Sequence, residues 1–154
     1  MTNNDNPEAP NDNHGLVQAC RELHAAIDSF DSMIAEKVQI SRNDLRCLNL
    51  LENGPLLSKD IADKLGLTTG SVTALQDRLE KREFIKRKAH PKDRRSILIE
   101  LTPMAYQKLG SLYRKMGEAI VSLSENYGEQ KARNAVKILD DLSQQFKGVI
   151  HKVK

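Results

Sequence analysis

Residues 58–102 read SKDIADKLGLTTGSVTALQDRLEKREFIKRKAHPKDRRSILIELT, and the order of short periodic segments in this stretch decides the fold. Ser58 can cap a short helix that has Asp60 in its first turn and turns Ile61, Ala62 and Leu65 inward, and Gly66 breaks it. Thr68 opens the next helix, with Val72, Leu75 and Leu79 on the inner face. A short helix, a tight glycine-containing turn and a second helix form a helix-turn-helix. Beyond Phe84 the period changes from helical to alternating. Residues 85–89 and 96–101 are short, β-branched runs around His90-Pro91-Lys92-Asp93-Arg94-Arg95, which predicts a β-hairpin with a long basic tip. A hairpin placed directly after a helix-turn-helix makes the winged form of that motif.

On the upstream side, Leu16, Cys20, Leu23, Ile27, Phe30, Ile34 and Val38 recur every three or four residues, the stripe of a long amphipathic helix. Ser41 fits the N-cap of a following helix with Leu45, Leu48 and Leu51 inward, which Asn53-Gly54-Pro55 ends. Downstream, Pro103 suits a helix N1 position, and Ala105, Leu109, Leu112, Met116, Ile120, Leu123 and Tyr127 continue its stripe. Gly128 interrupts, and Ala132, Val136, Leu139, Leu142, Phe146 and Val149 mark a last helix. The expected organisation is a disordered tail over 1–15, an N-terminal dimerisation helix over 16–40, a winged helix-turn-helix DNA-binding domain over 41–102 and C-terminal dimerisation helices over 103–154. The fold class is therefore mainly α with a small β-hairpin wing. The terminal helices are longer than so small a core requires, so their stripes are expected to bury each other in a homodimer.

A length of 154 residues suits one domain. No apolar run approaches the roughly 20 residues needed to span a bilayer, and the first 15 residues lack the basic and apolar regions of a secretory signal. A cytoplasmic protein without a membrane segment is expected. Cys20 and Cys47 cannot staple a scaffold, and His14, His24, His90 and His151 show no zinc-ligand spacing, so no metal or cofactor is expected. There is no phosphate-binding glycine loop after a strand and no nucleophile elbow, which excludes the commoner enzyme classes. Aromatics at 4%, with no tryptophan, argue against a stacking platform for single strands.

The formal charge of +3 is unevenly placed. Residues 78–95 hold nine basic residues against three acidic, a net +6, and the remainder holds 15 basic against 18 acidic, a net −3. A basic segment on an acidic body is the outline of a polyanion binder; a solvated charged face is the alternative. At the start of the second helix of the motif, Thr68, Thr69, Gly70, Ser71 and Thr73 are small, so a phosphate can approach free N–H groups at the positive end of the helix dipole. Thr68 and Ser71 serve equally well as capping residues. Gln76 is assigned to the outer face, where it can donate and accept across an adenine edge, while threonine methyls meet a thymine methyl. At the hairpin tip, Lys88, Lys92, Arg94 and Arg95 suit a narrow minor groove. Asp93 among them is expected to pin the Arg95 guanidinium by a local ion pair.

These residues carry a family resemblance. The run from Asp93 to Pro103, DRRSILIELTP, resembles the wing motif of the MarR family of bacterial transcription regulators, and Ile61-Ala62-Asp63-Lys64-Leu65, Val72-Thr73 and Asp77-Arg78-Leu79-Glu80-Lys81-Arg82 resemble its helix-turn-helix. The resemblance covers residues 40–106. It implies a homodimer held by terminal helices, with recognition helices in successive major grooves of a palindromic operator about 34 Å apart and wings in the flanking minor grooves. It carries DNA-facing roles to Thr69, Ser71, Thr73 and Gln76, and wing roles to Asp93 and Arg95. It further implies a repressor released by a small aromatic or phenolic ligand, whose binding residues the sequence does not identify. Where the family has glycine after the recognition helix this chain has Glu83, so a left-handed cap there is strained or absent. A usual later glycine is Ala105. Two other classes stay open: a winged-helix protein-interaction module without DNA binding, and a regulator that senses oxidants through cysteine. Cys20 and Cys47 lie on apolar stripes, which favours buried, inert thiols. His24 and Arg46 are read as surface residues rather than ligand contacts.

Overall fold

The computed structural model, which describes residues 13–93 and 95–153, runs α1 (Asn13–Lys37), α2 (Arg42–Leu51), β1 (Leu56–Leu57), α3 (Ser58–Leu65), α4 (Thr69–Lys81), β2 (Ile85–Ala89), β3 (Ile97–Leu101), α5 (Pro103–Tyr127) and α6 (Glu129–Val153). It divides after Tyr106 into two units. The fold class matches the sequence-based expectation. α1 begins at Asn13, inside the stretch expected to be tail; the rest of that stretch, residues 1–12, lies outside the described residues, and so does Arg94.

The core of the first unit is built from the positions that the periodicity selects. Ile34 and Val38, Leu45, Leu48 and Leu51, Ile61 and Leu65, then Val72, Leu75 and Leu79 are buried, together with Phe84, Ile85, Ile99 and Leu101 from the hairpin. Only the last part of the α1 stripe joins them. Leu16, Leu23 and Ile27 stay about half exposed, because periodicity marks a helix face as apolar without saying what covers it.

The hairpin pairs Ile85 with Leu101 and Ala89 with Ile97, and a further strand that the sequence did not predict joins it. β1 pairs antiparallel with β3, Leu56 opposite Ile99 and Leu57 opposite Leu98, so β3 is central in the order β1-β3-β2. Two residues are too few to show an alternating pattern. This pairing also overturns the expected cap of α3. Leu57, still extended, is the N-cap and makes no side-chain cap bond, while Ser58 is already helical.

The other helix ends are set by side chains and backbone geometry. Ser41 and Asp44 form a capping box at α2: Asp44 N–H donates to Ser41 Oγ, and Ser41 N–H donates to an Asp44 carboxylate oxygen, each at 3.1 Å. Gly66 ends α3 in the left-handed region. α4 ends in a Schellman arrangement, with Glu83 N–H bonded to Glu80 C=O and Phe84 N–H to Leu79 C=O, both at 2.9 Å. The left-handed residue in it is Glu83, at φ +59°. The strained alternative is thus the one adopted. The Thr102 hydroxyl donates to Glu83 C=O at 2.6 Å and accepts from Ala105 N–H at 3.1 Å, joining that turn to the start of α5.

Two arginines of α4 fasten it to earlier helices. Arg78 reaches the second oxygen of Asp44 at 2.7 Å, and Asp44 is 4% exposed. Arg82 donates to Val38 C=O at 2.7 Å and to Gln39 C=O, and lies 5.5 Å from the centre of the Phe84 ring. In the second unit, α5 and α6 are joined at Gly128, φ +82°. Ile120, Leu123 and Tyr127 of α5 are exposed, as are Val136, Leu139, Phe146 and Val149 of α6. Among the described residues, no helix is long and apolar enough to cross a membrane.

Two substitutions test this frame. Arg78→Ala leaves the buried Asp44 oxygen unpaired and should lower stability by about 1–3 kcal/mol, measured by denaturant unfolding; a loss under about 0.5 kcal/mol would show that water replaces the guanidinium. Glu83→Gly relieves a left-handed side chain and should raise stability by up to about 1 kcal/mol, with no gain expected if the turn is unstrained.

Candidate nucleic-acid interface

Thr68 caps α4, accepting Ser71 N–H at 3.2 Å on its hydroxyl, which also bonds the Ser71 hydroxyl at 2.9 Å. The capping role that the sequence allowed for these two residues is therefore present. Thr69, Gly70, Ser71 and Thr73 are exposed. The Thr73 hydroxyl donates to Thr69 C=O at 2.9 Å. Gly70 has nothing within 4 Å of where a Cβ would stand, so the chain's own packing does not require glycine there. The result is a helix start of small, exposed side chains, a geometry that lets a phosphate or a base edge approach closely.

Gln76 is not part of this surface. It is 2% exposed, and its Oε1 accepts from the Ser58 hydroxyl at 3.0 Å. At about 100° per residue, position 76 falls roughly 40° from buried Val72 and roughly 20° from exposed Thr69, on the boundary between the two faces. The expected outer-face placement is therefore corrected by the packing: α3 covers this edge of α4, and the Ser58 hydroxyl takes up the amide oxygen.

The cations of residues 78–95 divide into two groups. Arg78 is held by Asp44, and Arg82 by backbone carbonyls. Arg87 spans Asp77, at 2.6 Å, and Glu80, tying β2 to the outer side of α4. Lys86 lies 3.1 Å from Glu100, and Lys88 lies 4.0 Å from the other oxygen of that carboxylate. These residues build the wing and fasten it. Lys81 in the last turn of α4, and Lys92 and Arg95 at the tip, are exposed and pair with no carboxylate among the described residues. Arg94, expected to join them, lies outside the described residues. Much of the +6 is thus neutralised locally, and the cations available to a polyanion are those of the tip and Lys81 at the end of α4.

Asp93 acts differently from its expected role. It does not pair with the Arg95 guanidinium. One oxygen accepts Arg95 N–H at 3.0 Å, the other accepts the Ser96 hydroxyl at 2.5 Å, and Asp93 C=O takes Ser96 N–H at 3.0 Å. The Ser96 hydroxyl first, and the Arg95 N–H second, hold this carboxyl below its ordinary value. His90, which the sequence reading left without a role, closes the tip from the other side. Its Nδ1 accepts Lys92 N–H at 3.2 Å and Asp93 N–H at 3.1 Å. The signal for this in the sequence is a histidine just ahead of a Pro-Lys-Asp turn, a position from which its ring can reach the turn's N–H groups.

Cys47 is fully buried, and its thiol is pushed up to about 12 by desolvation and then by the Asp44 charge, so it stays protonated at neutral pH. Cys20 is partly exposed on α1, not buried within the chain. His24 and Arg46 are exposed, as expected.

The MarR family's sequence model matches residues 40–97. The chain is 34% identical over 116 residues to the uncharacterized HTH-type transcriptional regulator YcgE of Bacillus subtilis, 75% of each protein. It is 31% identical over 83 residues to the HTH-type transcriptional repressor YetL of the same organism, spanning 54% of this chain and half of that one. Among solved structures, that of NadR in complex with 4-hydroxyphenylacetate matches with a TM-score of 0.60 at 24% identity, covering 92% of this chain and 97% of that one. That likeness is one of fold.

The free tip cations lead to a measurable expectation. Arg95→Ala should weaken binding to all duplexes alike and reduce the slope of log affinity against log salt by about one. An unchanged slope would remove Arg95 from the phosphate contacts.

Proposed function

The chain belongs to the MarR family and is a DNA-binding transcriptional regulator, and from that premise we propose that it represses transcription as a homodimer on a two-fold operator and lets go when a small aromatic or phenolic ligand binds. The observation that carries this reading is the exposed row Thr69, Gly70, Ser71 and Thr73, which belongs to the same unit as the hairpin tip bearing Lys92 and Arg95. In the proposed complex the row enters the major groove and reads base edges. The tip enters the flanking minor groove, with Lys88 and Arg94 adding to its charge. Thr68 contributes through its cap, holding Ser71 and the first turn in place.

Dimerisation is supported by apolar surface that a lone chain leaves in water. Leu16, Leu23 and Ile27 of α1 are exposed, and Ile120, Leu123, Val136, Leu139 and Phe146 of the second unit are too. Scattered apolar residues are ordinary on a protein surface, but stripes along whole helices mark an interface. Repression is proposed because YetL, one of the relatives, is a repressor. The ligand class is proposed because NadR is seen holding 4-hydroxyphenylacetate. Such a regulator works in the cytoplasm, beside the DNA it controls.

Selection of bound duplexes from a random pool at fixed salt tests the reading. A palindromic motif with half-sites about one helical turn apart is the expected result. No enrichment over background would favour a protein-interaction module instead. Adding 4-hydroxyphenylacetate and simple phenols to the selected complex should release the duplex, and full retention across that panel would overturn the ligand class.

A further inference from the structure

Gln76 sits among Val72, Leu75 and Leu79 on the inner face of α4, 2% exposed, and only one end of its amide is satisfied. Oε1 accepts the Ser58 hydroxyl at 3.0 Å, while Nε2 has no partner among the described residues. Turning the amide over exchanges the two atoms and leaves the same position unpaired. A buried, half-satisfied amide costs free energy that an apolar side chain of similar volume would not. Such a local conflict, kept in an otherwise apolar face, marks a place where something besides stability is being specified.

Arg78 and Arg82 fasten the C-terminal end of α4; what the amide adds is a directional contact between the middle of α4 and α3. The remaining buried residues of α3 and α4 are Ile61, Ala62, Leu65, Val72, Leu75 and Leu79. Apolar burial is non-directional and tolerates small slides and rotations of one helix on another, whereas a hydrogen bond fixes the separation and angle of its two groups. Ser58 is itself held, because it follows Leu57 directly and Leu57 pairs with Leu98 of β3. Constraint thus passes from the sheet through Ser58 to the middle of α4. Thr73 stands one turn before Gln76 on the same helix, and Thr69 one turn before that.

We propose that the Ser58–Gln76 hydrogen bond is a register pin, completing in the middle of α4 the fastening that Arg78 and Arg82 make at its end, so that Thr69, Ser71 and Thr73 meet an operator in one alignment. Gln76 is then a positioning residue for sequence recognition, without touching DNA. The inference rests on the DNA-reading role of α4 given above.

The test uses the full chain, its selected duplex and an unrelated duplex of equal length. Gln76→Leu should raise the thermal midpoint by about 2–4 °C and cut the ratio of selected to unrelated affinity by about tenfold, leaving unrelated-duplex affinity and its salt slope unchanged. Ser58→Ala should reproduce the loss of ratio without the rise in midpoint. If both variants keep the wild-type ratio, the pair is only structural and the proposal is overturned. It is overturned as well if Gln76→Leu loses the ratio and Ser58→Ala keeps it, since Gln76 then acts without Ser58. Should Gln76→Leu fail to fold, Ser58→Ala alone decides by the same criterion. Failure of the wild-type chain to select any duplex would sink the DNA-reading role itself, and the pin with it.

Discussion

The Asp44 carboxylate is the point on which the DNA-binding unit turns. One oxygen completes the capping box that starts α2, and the other holds Arg78 in the last turn of α4. A single nearly buried charge thereby fixes the start of one helix against the end of another. Arg82, one turn beyond Arg78, adds a second fastening to the carbonyls of Val38 and Gln39. Gln39 is left-handed, at φ +56°, and that turn is what presents the two carbonyls together. The outer face of α4 can be given over to small polar side chains because its orientation is secured from behind.

The wing is secured by the same kind of chemistry, nearer to water. β1 makes β3 the central strand, so the hairpin is anchored on one edge by the residues just ahead of α3 and on the other by Arg87 reaching α4. At the tip, Asp93 and His90 use side-chain acceptors to satisfy backbone N–H groups that the hairpin leaves open. Acidic residues inside a basic segment thus hold the backbone of the turn, and the hairpin cations left over are those farthest along it.

The legibility of the sequence varied with the physics involved. Helix order, the Ser41 cap, the break at Gly66 and the hairpin were readable because each depends on neighbours a few residues apart. The β1 pairing and the Asp44–Arg78 contact join residues more than thirty positions apart, and no local pattern encodes them. Ser58 was read as a cap because serine before an apolar-periodic run usually is one; pairing of Leu57 with β3 moved the helix start forward by one residue. Gln76 was misplaced for a different reason. Its angle lies on the boundary, roughly 40° from Val72 and roughly 20° from Thr69, and the contact that buries it comes from Ser58, outside the helix. Asp93 was rightly tied to Arg95 but through the wrong atoms, since a side chain can reach its neighbour's backbone as readily as its charge.

The Arg87 clamp gives salt two routes into DNA binding. Its partners Asp77 and Glu80 have side chains 61% and 38% exposed, so mobile ions screen these pairs. Raising ionic strength weakens the attraction between tip and phosphate, and it also loosens the strap that holds the hairpin to α4. The first effect counts released counterions in a straight line on a logarithmic plot. The second changes the shape of the partner while it is being titrated, so the plot should bend downward at high salt.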